Sequence, residues 1–247
     1  MPTISKYALI FKNRMQSFEE DLEMIDILCK AQTQDDLLSD TNQLFKYLNP
    51  LVHKAIARRS NTHRSKVIVV NHLRRTIYVS YVKDAFEEVS LYLKSFVAEA
   101  AIKAKEKETA YRLLGDQKIT LNARDILQYQ DINELGRFIA EQIVQDLEKE
   151  RSTKSLITKV INKTGISVEP QIIDEAMPYL EMRHKFVHTD GLVDEQFKAD
   201  YPMLSFDADN HIVLNKTILS QLEIKTTKLV NAIDSDAISK GILMPNT

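Results

Sequence analysis

Five glycines and six prolines are spread through 247 residues, and that scarcity is the strongest limit on what the chain can become. Hairpins and tight turns draw on glycine and proline for backbone conformations that other residues avoid. A chain poor in both has little means of turning strands back on one another. Apolar residues instead recur at i, i+3 and i+4 over long stretches, the period of a helix with one buried face. The expected fold class is all-α.

The same spacing predicts the elements. Ala8, Phe11, Met15, Phe18, Leu22, Ile25 and Cys29 form one stripe on a helix from about Ser5 to Ala31. A second helix follows Gln34-Asp35-Asp36 and is bent or ended by Pro50, with Ser60-Asn61-Thr62 as a connector. Val67 to about Glu106 contains neither Gly nor Pro and reads as one long central helix through Leu73, Ile77, Tyr81, Val89, Leu93 and Phe96. Val67 to Val70 alone also suits the start of a short strand. Further helices are signalled at Asn122 to Asp125, at Asn133 to Arg151, and at Ser152 to Lys163 closed by Gly165. Pro178 is placed at a restart or kink, from which a helix of about three turns reaches Asp190-Gly191. Asp190 to Asn210 reads as a long loop, and a last helix runs from about Asn215 to Ser239.

Composition narrows the setting. A net charge of −2 with 44% hydrophobic residues describes an ordinary soluble globular chain. The single cysteine, Cys29, cannot pair within the chain, which points to a reducing cytoplasm and away from a cysteine-based metal site. The opening Met1-Pro2-Thr3-Ile4-Ser5-Lys6 lacks the charged and apolar regions of a secretory leader, and no apolar run approaches the ~20 residues of a membrane span. The expectation is a protein neither secreted nor inserted.

One segment concentrates chemistry. In Arg183-His184-Lys185-Phe186-Val187-His188, followed by Thr189-Asp190-Gly191, helical spacing puts Leu180, Arg183, His184, Val187 and His188 within about 140° of arc. His188 falls in the last turn, where the helix dipole favours a cation. An arginine with two histidines and no carboxylate between them suits stabilisation of an anionic phosphorane with movement of a proton to or from an oxygen. RNA supplies its own nucleophile in the 2′-hydroxyl, so such a site needs only a cation, an acid/base group and a grip on the scissile bond. Arg58 and His63 repeat the Arg-to-His separation, but they straddle the connector and nothing fixes their geometry; Arg58, Arg59 and His63 read as surface residues.

Residues Arg183 to Gly191, with Leu192-Val193-Asp194, resemble the signature of the HEPN superfamily: Arg, a polar residue, then His near the end of a helix in an all-helical domain. The polar slot, often Asn, is His184 here. Leu73 to Glu87 is similar to the long early helix of large HEPN ribonucleases, where an acidic residue follows a basic one. Together these cover about Val67 to Ile238. The implied arrangement is an HEPN-like helical bundle over residues 63–247 behind an N-terminal helical extension, residues 1–62. The resemblance further implies a metal-independent endoribonuclease without cofactor, from a prokaryotic toxin or antiviral defence system, acting as a homodimer with a composite active site. An antitoxin or defence partner protein belongs to the same picture. By the resemblance, Arg183 neutralises the scissile phosphate, His188 is the general acid or base, His184 orients phosphate or acts as a second acid/base group, and Glu87 or Glu88 orients the arginine.

Blander readings stand beside these. A basic last turn that complements the helix dipole contributes about 0.3 to 1 kcal/mol and is common. His184 and His188 also have the spacing of two zinc ligands, but no Glu follows in the HExxH manner, so no metal site is expected. From Leu51 to Lys83 the chain carries Lys54, Arg58, Arg59, Arg64, Lys66, Arg74, Arg75 and Lys83 without one Asp or Glu. That block reads equally as a phosphate-binding surface for single-stranded or looped RNA, joined by Lys185, and as a solvated face paired with acids elsewhere. His72 and Tyr78 within it read as half-buried core. Besides a ribonuclease, two rivals remain: a non-catalytic helical module binding RNA, nucleotide or protein, and an enzyme inhibited by a partner or by its first sixty residues.

Overall fold

The computed structural model describes residues 3–33, 49–59, 63–103 and 152–246, together with the isolated positions 134, 138, 142 and 145. Among them are seven helices and no strand: α1 (Lys6–Thr33), α2 (Lys54–Ala57), α3 (His63–Lys103), α4 (Thr153–Thr164), α5 (Pro170–His188), α6 (Glu195–Asp200) and α7 (Lys216–Ser239). Three isolated bridges are the only β-type pairings among these residues. The fold is all-α. The helix after Gln34-Asp35-Asp36, the Ser60-Asn61-Thr62 connector and the helix at Asn122 lie outside the described residues, as does most of 133–151. No helix among the described residues is long and apolar enough to cross a membrane.

Two compact units share the chain: residues 1–15 with 82–247, and residues 16–81. The division falls inside α1 and α3, so residues 1–62 are shared between the units. In the 16–81 unit, Cys29, Val70, Tyr78 and Tyr81 are buried, and Phe18 meets the Tyr81 ring edge-on at 6.3 Å. In the larger unit the core draws on Phe11 and Met15 of α1, Val82, Phe96 and Val97 of α3, Ile157 of α4, Leu180 and Met182 of α5, and Leu222, Leu229 and Ile233 of α7. Each such side chain removed from water contributes about 1.5–3 kcal/mol.

Local chemistry sets the boundaries. The Ser152 hydroxyl accepts from the Ser155 amide to start α4, and Gly165 ends it at φ 71°, a left-handed conformation open to glycine. Asn215 caps α7 by accepting from the Ile218 amide at 2.9 Å. Helix α3 begins at His63, earlier than the spacing suggests, and residues 67–70 are helical rather than a strand. Two further expectations are corrected. The helix carrying the Arg-His motif does not restart at Pro178; it begins at Pro170, which occupies the first turn, and continues through Pro178 as one helix. Proline there removes a backbone hydrogen bond at a cost of about 3 kcal/mol, offset by burial of Ala176, Met177, Pro178, Tyr179 and Leu180 as α5 packs on α7 and α4. Residues 190–210 are not all loop, because Asp194 accepts from the Phe197 amide at 2.8 Å and nucleates α6, whose Phe197 is buried.

A buried polar node joins three helices and both ends of the larger unit. Asp234 of α7, 1% exposed, accepts from the Ser5 amide at 2.8 Å, from the Ser5 hydroxyl and from the Tyr92 hydroxyl of α3 at 3.2 Å. Ser5 also caps α1 by accepting from the Ala8 amide at 3.2 Å. Beside this node Ser5 bridges to Pro245, and the Asn246 amide donates to the Ile4 carbonyl at 2.8 Å. Burial pushes the Tyr92 hydroxyl far above the usual tyrosine range, and the adjacent carboxylate acts in the same direction. Asp234→Ala strands the buried Ser5 and Tyr92 donors. It is expected to lower unfolding free energy by about 3 kcal/mol in urea titration, and a loss below about 1 kcal/mol would remove the node from its structural role.

Glu175 of α5 reaches Lys228 of α7 at 2.9 Å and Lys225 at 3.1 Å. Hydrogen bonds first from Lys228 and then from Lys225 hold its carboxyl down at about 2, against an ordinary 4.5. A folded-state value below the unfolded one means that this stabilisation is complete above pH 4.5 and is lost as pH falls toward 2. Glu175→Gln is therefore expected to flatten the fall of the urea midpoint between pH 4.5 and 2; an unchanged slope would contradict the clamp.

Candidate active site

The last two turns of α5 carry the motif, and the chain that follows fixes where they end. The amides of Thr189 and Gly191 both donate to the Lys185 carbonyl, at 2.9 and 3.0 Å. The Thr189 hydroxyl bonds the carbonyls of Lys185 and Leu192 at 3.0 and 2.7 Å. Asp190 and Gly191 take φ of 51° and 86°, so the termination expected at Asp190-Gly191 is present. Beyond it, the Ile212 amide donates to the Gly191 carbonyl at 2.9 Å, and Leu192 bridges to His211. Gly191 lies against Phe186: a Cβ there would stand 2.7 Å from the ring's Cε1.

Arg183 is braced on two sides by α3. Its Nη2 lies 3.2 Å from Glu87 Oε1, and its guanidinium carbon sits 4.9 Å from the centre of the Phe86 ring. Its Nε is shielded from water and has no hydrogen-bond partner among the described residues. A guanidinium has five N–H donors, so one bond to Glu87 leaves donors for an incoming anion, and the side chain is 31% exposed. Of the two acids weighed for this role, Glu87 holds the arginine. Glu88 is turned into the interior, 3.9 Å from Arg14; burial raises its carboxyl above the ordinary range, against the pull of Arg14 and with help from Asp84.

His184 and His188 are both exposed, one helical turn apart, with ring centroids separated by 4.4 Å and tilted by 49°. The structure brings the two imidazoles together, while Arg183, one residue before His184 on the same helix end, is directed to Glu87 and Phe86 of α3. Lys185, grouped with RNA-binding residues in the sequence, is directed to α6: its Nζ lies 3.4 Å from Asp194 Oδ2 and 5.0 Å from the Phe197 ring centre, and the side chain is 20% exposed. The Phe197 amide, then Lys185, hold the Asp194 carboxyl below its usual range.

The remaining basic candidates, Arg58, Arg59, Arg64, Lys66, Arg74 and Arg75, all belong to the 16–81 unit. Arg58, Arg59, Arg64 and Arg75 are exposed, and half-buried Arg74 donates to Asn71 Oδ1 at 3.4 Å. Lys66 is corrected: at 3% exposure it is no surface contact, because it stands one turn before buried Val70 on the inward stripe of α3. His72 is exposed rather than half-buried. Sequence spacing passed over Phe86 and the Phe186–Gly191 contact; the pairing of Phe86 with Glu87, next to one another in one turn of α3, was the available signal. Among the described residues, no group of three or more His, Cys, Asp or Glu side chains is arranged to hold a metal.

Comparison with protein-family models, with curated proteins and with solved structures returned no match.

Gly191→Ala forces a β-carbon into a left-handed position and against the buried Phe186 ring. It is expected to cost about 2 kcal/mol and to disturb the turn carrying His188, read as a lowered urea midpoint; a neutral substitution would mean that the Phe186 ring gives way freely.

Proposed function

We propose that the chain is a metal-independent endoribonuclease of HEPN type. The observation that carries this reading is the end of α5, where Arg183, held by Glu87 and Phe86, lies within about one and a half helical turns of the exposed, adjoining rings of His184 and His188. In the reaction, the 2′-oxygen of a ribose attacks the adjacent phosphorus as its proton is taken up. The bond from phosphorus to the 5′-oxygen then breaks, that oxygen receives a proton, and the products end in a 2′,3′-cyclic phosphate and a 5′-hydroxyl. Arg183 offsets the charge that gathers on the non-bridging oxygens, where fixed cationic donors are most effective. His188 carries a proton to or from the reacting oxygens, and His184 contributes a second imidazole in the slot where a hydrogen-bonding side chain orients the phosphate.

The family likeness extends the proposal to a cytoplasmic homodimer with a composite site, from a prokaryotic toxin or defence system with a neutralising or activating partner. A binding module without turnover is the second reading, favoured by the exposed Arg58, Arg59, Arg64 and Arg75. Inhibition by the first sixty residues is poorly tested by deleting them, because Ser5, Ala8, Phe11 and Met15 are buried in the larger unit.

Wild type and His188→Ala, incubated with total cellular RNA and tRNA in EDTA, test the proposal directly. Wild-type fragments with 2′,3′-cyclic phosphate ends, and a loss of at least about 100-fold in the variant, are expected. Tight RNA binding without products moves the weight to the binding module, and equal cleavage by both proteins removes His188 from the mechanism.

A further inference from the structure

The two histidines have a property that proton transfer does not use. Their rings lie together on an exposed helix face, with centroids 4.4 Å apart and planes tilted by 49°. Among the described residues neither imidazole has a hydrogen-bond partner. The flanking cations each face a carboxylate, Arg183 with Glu87 at 3.2 Å and Lys185 with Asp194 at 3.4 Å. A dication approaching the pair therefore meets two nitrogen ligands between flanks whose positive charge is largely answered.

Imidazole nitrogens bind borderline transition ions at about 2.0–2.1 Å. Residues four apart on a helix can present both nitrogens to one ion, and at this separation rotation about the side-chain torsions brings them together. We infer that His184 and His188 form a two-point site for a borderline divalent transition ion of the Ni²⁺, Cu²⁺ or Zn²⁺ class, and that its occupancy silences the catalytic face. Water completes the coordination, since no third ligand is gathered there among the described residues. The ion takes the nitrogen lone pairs through which the imidazoles would exchange protons, so it acts as an inhibitor and not as a cofactor. Mg²⁺ and Ca²⁺, which prefer oxygen ligands, do not compete. The silencing step rests on the ribonuclease reading; binding does not.

The test uses the tag-free full chain and Ni²⁺ as the probe, by isothermal titration in a non-chelating buffer, with wild type, His184→Ala, His188→Ala and the double variant. Both side chains are exposed, and far-UV circular dichroism checks that each variant is folded. One site is expected in wild type, weakened about 100-fold by either single change because only chelation by both rings supplies the affinity, with the double variant no weaker than the singles. Wild-type affinity in either single variant overturns the site, as does an equal response to Mg²⁺. In a parallel RNA assay, half-inhibition of wild type is expected at the Ni²⁺ concentration that half-fills the site. Full cleavage with Ni²⁺ bound overturns the silencing, whereas Ni²⁺ binding without any RNA cleavage overturns the ribonuclease reading and leaves the site standing.

Discussion

The larger unit depends on one carboxylate kept away from water. Asp234 sits in an apolar interior, where an unanswered charge is among the most expensive things a fold can contain. The answer comes from Ser5, with both its amide and its hydroxyl, and from the Tyr92 hydroxyl. Those partners belong to the start of α1 and the middle of α3, while the carboxylate belongs to α7. Hydrogen-bond geometry tolerates little displacement, so the node sets the mutual placement of three helices more narrowly than apolar packing alone. Placement of α3 then matters for the candidate site, since Phe86 and Glu87 lie less than two turns from Tyr92 on the same helix.

Most helices were legible because their causes are local. The apolar stripe of α1, the Asn215 cap of α7 and the Gly165 terminator of α4 each act within a few residues of sequence. Pro178 misled for the converse reason. Its effect on a helix depends on what surrounds it, and here buried neighbours and packing against α7 and α4 outweigh the lost hydrogen bond. α6 was missed because six residues are too few to show a period, although Asp194 three places before Phe197 is a capping signal.

In the candidate site, periodicity placed Arg183, His184 and His188 on one face, but it could not choose between Glu87 and Glu88. Adjacent helical residues point about 100° apart, so one faces Arg183 and the other the interior, and only the packing of α3 against α5 says which. Lys66 and Lys185 illustrate the opposite limit. A charge count treats every lysine as surface, yet a long aliphatic stem can lie along apolar neighbours, and a lysine already facing a carboxylate and an aromatic ring is spoken for.

The pairing of Ile4 with Asn246 has a geometric corollary. Two points more than two hundred residues apart along the chain are neighbours in space, so the path of the chain from Ile4 to Asn246 very nearly closes on itself. Any polypeptide joined ahead of Ile4 and any joined after Asn246 would leave the protein from a single spot. A short peptide could link the two, and the chain could then be reopened elsewhere with the same helices in a new order.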